Sequence, residues 1–210
     1  MEIWRAVGEQ LRRPSGAAGR LAGAAMRWIN REPYRLAMAA LEVRPRDHVL
    51  ELGFGPGEGV RALARLAPAG VVWGVDHSPE MFEQALSRNF KAIVRNHVRL
   101  RHASFEALPM DDASVDRVLA VNVAYFWGDG DAVLREIGRV LKPGGRLSVY
   151  VTDAAAMQRW KFAGSDTHRT FTAASLPSYL AQPPFDRGRV RVARRTLALG
   201  FPALLAVAER

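Results

Sequence analysis

Cysteine is absent from this 210-residue chain, which excludes a disulfide framework, a thiol nucleophile and a thiolate metal site. Long apolar runs are absent as well; none approaches the roughly 18–20 residues that span a bilayer. The N-terminus intersperses Glu2, Arg5, Glu9, Arg12 and Arg13. Pro14-Ser15-Gly16, rather than an apolar stretch, follows the Arg12-Arg13 pair, so no export signal is read there. A cytoplasmic location is the expectation. Lysine is scarce: Lys91, Lys142 and Lys161 are the full set. The formal charge of +9 is therefore carried by arginine, which is scattered through every segment rather than gathered into a phosphate-binding stripe. The densest cluster, Arg187–Arg195, alternates Arg with Val and Ala as a strand with one solvated face does, and a patch for an anionic partner is the other reading.

What is present is ordinary for one globular domain, with 49% hydrophobic and 24% charged residues and no internal repeat. The first forty residues read as helices. Ile3, Trp4, Val7 and Leu11 recur at helical spacing, as do Leu21, Ala25 and Trp28. Pro33 suits the first turn of a third helix running to about Glu42. From His48 the pattern becomes alternating strands and helices. Strands are expected at 49–52, 71–75, 98–102, 115–121 and 146–151, the last after a Lys142-Pro143-Gly144-Gly145 turn. Helices are expected at 58–66, after the Ser78-Pro79-Glu80 cap, and at 129–141. Strands spaced by crossover helices imply a parallel sheet with helices on both faces. After Thr152 come a short helix, a loop at 164–172, a helix near 174–181, and two strands near 190–197 and 204–208 that can pair as an edge hairpin.

The chemistry starts at Val49–Gly59, VLELGFGPGEG, where a strand ends and a helix begins. In open α/β sheets that junction lies at the carboxyl ends of the strands, where ligands bind. Four glycines alternating over seven positions exceed what a tight turn needs. A dinucleotide fingerprint would carry Gly or Ala at the sixth position from Gly53, and here that position is Glu58. A carboxylate at a helix entrance repels a pyrophosphate, and the lysine of a phosphate-binding loop is missing. A phosphate-free cofactor with sulfonium and ammonium charges suits this loop and the nearby Glu51. Asp76, ending the second strand, can take both hydroxyls of a ribose, while Ser78 already serves as the helix cap.

Four stretches in this order resemble the class I S-adenosylmethionine-dependent methyltransferases, particularly the bacterial small-molecule group related to ubiquinone-biosynthesis enzymes. They are Val49–Gly59, Val75–Ala85 (VDHSPEMFEQA), Glu106–Arg117 (EALPMDDASVDR) and Arg139–Leu147 (RVLKPGGRL). The resemblance implies an α/β fold: a Rossmann-like, doubly wound, seven-stranded and mostly parallel sheet whose last strand is antiparallel. Residues 1–45 would be an N-terminal helical cap of the same domain, and 46–210 the methyltransferase domain. S-adenosylmethionine, leaving as S-adenosylhomocysteine, is the implied cofactor, and no metal is expected. Its implied contacts are Glu51 at the amino end, Gly53, Phe54, Gly55 and Gly57 along the loop, Asp76 at the ribose, and His77 and Met81 beyond it. Ser104, Phe105 and Glu106 stand where relatives have Asp-Ala-Glu, so Ser104 replaces the carboxylate that meets the adenine amine. Asn122, after the fourth strand, would meet the methionine end and the acceptor.

For the acceptor side, Tyr125, Phe126 and Trp127 follow Asn122 and supply pocket walls or core plugs, with Tyr125 and Trp127 taken as acceptor contacts. His168 is the candidate base or acceptor contact, with Tyr125 as a second catalytic candidate, and Arg169 is a candidate binder of an anionic group. Trp28, Asn30 and Tyr34 could cap the pocket. The expected partner is a small-molecule methyl acceptor, handled by a monomer or homodimer. Two other readings are a nucleic-acid (rRNA or tRNA) methyltransferase and a non-catalytic, cofactor-binding regulatory protein. Replacing Asp76 by Ala is expected to weaken cofactor binding by about 1–3 kcal/mol; unchanged affinity in calorimetry would leave Asp76 as a structural group only.

Overall fold

A computed structural model describes residues 28–160, 168–198 and 200–210. The expected helices before Trp28 lie outside them, as does most of the 164–172 loop. Seven strands form one sheet: β1 (Val49–Leu52), β2 (Val72–Asp76), β3 (Val98–His102), β4 (Val115–Val121), β5 (Leu141–Thr152), β6 (Val190–Thr196) and β7 (Pro202–Glu209). Their order is β3-β2-β1-β4-β5-β7-β6. β7 runs antiparallel to both β5 and β6, so it alone is reversed in an otherwise parallel sheet. The order reverses between β1 and β4, and that switch opens a crevice at the carboxyl ends of the strands.

Among the described residues six α-helices cover the sheet: α1 (Arg31–Leu41), α2 (Glu58–Leu66), α3 (Pro79–Val94), α4 (Gly130–Val140), α5 (Ala154–Met157) and α6 (Ser175–Leu180). Period-two alternation divides the sheet's side chains between two cores. Leu50, Leu52, Val118, Ala120, Val149 and Val151 face α4, α5 and α6. Val49, Leu119, Val121 and Tyr150 face α1, α2 and α3 with Ala37, Leu41, Val60 and Leu63. Glu51, flanked by Leu50 and Leu52, therefore projects into the second of these layers.

Local signals account for several helix ends. Ser78 accepts a hydrogen bond from Met81 N–H with Pro79 following, and Asp129 accepts from Ala132 N–H. Glu42, in the left-handed conformation, closes α1. One expectation is corrected: Lys142–Gly145 is not a free turn before β5. Leu141 pairs with Val115, then Arg146 with Arg117, so the strand starts at Leu141 and bulges through the KPGG residues, with Gly144 at φ +76°. Lys142 fixes that bulge through bonds of 2.9 Å to both Asp116 oxygens.

Gly138 in α4 shows how tightly the face under α4, α5 and α6 is covered. A Cβ there would sit 2.2 Å from the Pro184 ring. Helix propensity alone favours Gly138→Ala by about 1 kcal/mol, while overpacking costs about 1–3 kcal/mol. Net destabilisation is expected in urea unfolding; stabilisation would show that the Pro184 loop yields freely.

Candidate functional site

The glycine loop takes its shape from three left-handed residues, Gly53, Gly55 and Gly57, at φ +67°, +51° and +83°. Space separates their duties. A Cβ on Gly53 would lie 2.4 Å from Val123, and one on Gly57 2.6 Å from Asn89, so these two permit close packing. A Cβ on Gly55 would meet nothing within 4 Å. The loop is held from behind: Gly53 N–H donates to Val75 O, and Gly57 N–H to Phe54 O.

In front of the loop lies a cleft of about 870 Å³, at the switch between β1 and β4. Among the expected cofactor contacts it is lined by Gly53, Phe54, Gly55, Asp76, His77, Met81 and Asn122. Asp76 is 5% exposed and accepts 2.9 Å hydrogen bonds from Gly55 N–H and Ser78 N–H. Burial pushes its pKa up, and these N–H groups oppose the rise. Asp76 thus ties the loop to the start of α3, and its carboxylate keeps acceptor capacity for a ligand.

Glu51 sits behind the cleft wall, with no exposure. The Tyr34 hydroxyl, brought over by α1, donates to its Oε1 at 2.6 Å, and Oε2 has no partner among the described residues. Gly59 makes the room: a Cβ there would fall 2.1 Å from Oε1 and 2.5 Å from the Tyr34 ring. Burial raises the Glu51 pKa to about 8, the Tyr34 hydrogen bond pulls it down, and Asp76 adds to the rise. Burial thus favours the protonated carboxyl near neutral pH. A hydrogen-bonded charged partner contributes about 1.5–3 kcal/mol towards the ionised form. A buried, half-satisfied carboxylate is suited to an ammonium group.

Glu58, the residue that argued against a pyrophosphate, is paired with Arg88 at 2.9 Å. Its repulsion is thereby softened, and Arg88 also donates to Pro56 O in the loop. Ser104 and Glu106 are exposed and outside the cleft lining; the Ser104 hydroxyl donates to Glu106 at 3.0 Å. Phe105 is buried, edge-on to His77 at 5.6 Å, so it backs a residue of the cleft.

The acceptor half has a different character. Asn122, in the left-handed conformation, donates through Nδ2 to Asn30 Oδ1 at 2.9 Å and accepts from the Tyr125 hydroxyl at 2.8 Å. Tyr125 also accepts from Thr152 N–H. Its hydroxyl is thus engaged on both sides, and burial drives its pKa far up, which makes it a strut of the wall rather than a ready base. His168 is 4% exposed, lines the cleft and meets the Phe126 ring at 4.8 Å. Trp28, Asn30 and Tyr34 also line the cleft, with Trp28 64% exposed at its rim.

Two acceptor-side expectations are corrected. Trp127 is 2% exposed, stacks on Tyr179 in the core and does not line the cleft. The 3-10 turn at Ala124–Phe126 carries Trp127 away from the cleft, into the same core that backs Tyr125. Arg169 lies over the Tyr179 ring at 4.9 Å rather than at the cleft. Tyr150, Met157, Trp160 and Phe201, which line the cleft, were not singled out in the sequence. Alternation along β5 signals which face Tyr150 takes, but the cleft it reaches is a property of the assembled fold.

Residues 50–149 match the family model described as a methyltransferase domain. The uncharacterised methyltransferase YdaC of Bacillus subtilis (strain 168) is 30% identical over 159 residues, 74% of this chain and 86% of that protein. The 27-O-demethylrifamycin SV methyltransferase of Amycolatopsis mediterranei (strain S699) is 37% identical over 111 residues, 52% of this chain but 40% of the relative. A transposon TN4556 protein of Streptomyces fradiae matches over 31% of its own length, so the chain spans less than half of these two relatives. The fold is shared with geranyl diphosphate C-methyltransferase of Streptomyces coelicolor A3(2), solved with Mg2+, geranyl diphosphate and S-adenosyl-L-homocysteine. That likeness has a TM-score of 0.70 at 15% identity and covers 96% of this chain and 87% of the other.

Below pH 8 the empty site carries a proton on Glu51, which an ammonium-bearing ligand must displace. Affinity for S-adenosylhomocysteine is therefore expected to rise as pH increases from 6 towards 8, by up to about tenfold per unit. Glu51→Gln should weaken binding and flatten that slope in calorimetry. A slope unchanged by the substitution would assign the proton to another group.

Proposed function

The chain belongs to the class I S-adenosylmethionine-dependent methyltransferases, and on that premise we propose that its cleft binds S-adenosylmethionine and directs methyl transfer to a small, largely apolar acceptor. The observation that carries this reading is the unpartnered, buried Glu51 Oε2 beside a glycine loop whose open position, Gly55, lines the cleft. A sulfonium cofactor supplies an electrophilic methyl group, and the chain's task is alignment and exclusion of water. Glu51 takes the ammonium, Asp76 the ribose hydroxyls, and Met81, Phe54 and His77 wall the nucleoside. Phe105 acts through His77. The exposed Ser104–Glu106 pair offers the adenine amine a rim contact, weaker than a buried carboxylate would be.

Asn122 is placed between the two halves, with the Asn30–Asn122–Tyr125–Thr152 chain of hydrogen bonds fixing its amide. Where the acceptor must lose a proton, His168 is the group on that side suited to take it. The aromatic and aliphatic wall, including Phe126, Met157, Trp160 and Phe201, disfavours a phosphate-bearing acceptor. Arg191, Arg194 and Arg195 lie exposed on the edge strand β6, as a solvated face would. Among the described residues no helix is long and apolar enough to cross a membrane, and no group of acidic and histidine side chains is arranged for a metal ion. We propose a cytoplasmic location for the activity.

Calorimetry should show binding of S-adenosylmethionine and S-adenosylhomocysteine and none of NAD. Incubation with methyl-labelled S-adenosylmethionine and fractionated metabolite extract should move label into an organic-soluble small molecule. Binding of NAD in place of both, or label appearing only in RNA, would overturn the proposal.

A further inference from the structure

Two oxygens on one face of the sheet are buried without a partner among the described residues: Glu51 Oε2, behind the cleft wall, and the hydroxyl of Tyr150. Proposing that the cleft holds a methyl donor uses the first. It leaves the second unexplained, although Tyr150 has no exposure and lines the same cleft. Buried hydroxyls normally find a hydrogen-bond partner, so a lone one facing a cleft marks a group that a ligand completes. Most nearby polar groups are already engaged, Glu32 Oε2 by Ala198 N–H. The Asn30 and Asn122 amides, the Tyr125 hydroxyl and Thr152 N–H already hold one another in a closed chain.

The register sets where that hydroxyl stands relative to the donor's half. Glu51 on β1 pairs with Leu119 on β4, and Val121, two residues further along β4, pairs with Tyr150 on β5. Tyr150 is thus two strands across and two residues further toward the carboxyl edge. This is about 10 Å sideways and about 7 Å onward in backbone terms. The separation leaves the end of the donor and the body of an acceptor between the two oxygens. The cleft that Tyr150 lines is largely hydrocarbon and aromatic, with Val121, Phe126, Met157, Trp160 and Phe201 in its wall, and the carboxylate of Glu32 is the charged group felt by the Tyr150 phenol.

We propose that Tyr150 is the acceptor-binding residue of this site, its hydroxyl donating a hydrogen bond to a neutral oxygen, a hydroxyl or carbonyl, on an otherwise apolar acceptor. Burial raises the phenol's pKa, so the group stays protonated and acts as a donor rather than a base. A charged acceptor would lose hydration against this wall with no opposite charge beside Tyr150 to replace it, apart from Glu32 on α1. The inference rests on the small-molecule methyltransferase reading, which supplies the direction from which the acceptor is approached.

The test compares 2-naphthol with naphthalene, a pair alike in shape and differing by one hydroxyl. Binding to the wild-type protein and to Tyr150→Phe is followed by ligand-observed NMR, with and without saturating S-adenosylhomocysteine. Wild type should prefer 2-naphthol by about 3- to 10-fold, the range of one net hydrogen bond. Tyr150→Phe should bring the two probes to near-equal affinity while keeping wild-type affinity for S-adenosylhomocysteine, which also reports that the variant is folded. The proposal is overturned if the preference survives the substitution, or if neither probe binds a protein that binds S-adenosylhomocysteine. Failure of S-adenosylhomocysteine to bind would instead overturn the methyltransferase reading, and the naphthol preference measured without it would still decide for or against Tyr150.

Discussion

A carboxylate in the dry centre of the sheet is the constraint around which this site is arranged. Glu51 lies on the central strand β1, between the β2 and β4 neighbours that bury it, and only one of its oxygens is answered. An isolated buried charge is costly, and this one responds by holding a proton near neutrality. Three other features follow from accommodating it. Gly59 has no side chain because Glu51 and Tyr34 fill the space; α1 carries Tyr34 across the sheet; and the loop before α2 must turn through left-handed glycines to clear the strand ends.

The resemblance in the sequence mixes ligand-facing and structural residues, and the fold separates them. The first two stretches, around Gly53–Gly59 and Asp76–Met81, converge on the cleft. The last two are largely joined to each other. Arg139 donates to the carboxylates of Glu136 and Asp112 and to the carbonyls of Leu108 and Met110, and Lys142 reaches Asp116. A guanidinium with five donors in a fixed fork can hold a loop of that length in one conformation, which lysine could not do with three. Those stretches therefore carry the shape of the loop between β3 and β4, and they touch the ligand side only through it.

The strands, the Ser78 cap of α3 and the terminal hairpin were legible because their signals are local: alternation, glycine, Ser-Pro-Glu and a turn before each element. Glu51 and Asp76 stood out in the sequence because a carboxylate inside or at the end of an apolar strand needs a polar partner. What escaped was set by packing between distant segments. Nothing within four residues of Tyr34 announces that its hydroxyl ends on Glu51, nor does Glu58 reveal its partner Arg88, which lies one helix further on. Trp127 and Arg169 were misplaced because a 3-10 turn and the Tyr179 ring, both tertiary features, decide where they point. Tyr150 was hidden inside an apolar run, where an aromatic reads as core.

The central claim, that the buried Glu51 oxygen is completed by the amino group of the methyl donor, is tested most directly by a crystal structure with S-adenosylhomocysteine. The account predicts the ligand's amino nitrogen within hydrogen-bond distance of Glu51 Oε2 and its ribose hydroxyls on Asp76, with the Tyr34–Glu51 bond kept. A ligand seated elsewhere in the cleft, with Glu51 Oε2 still unpartnered, would contradict it.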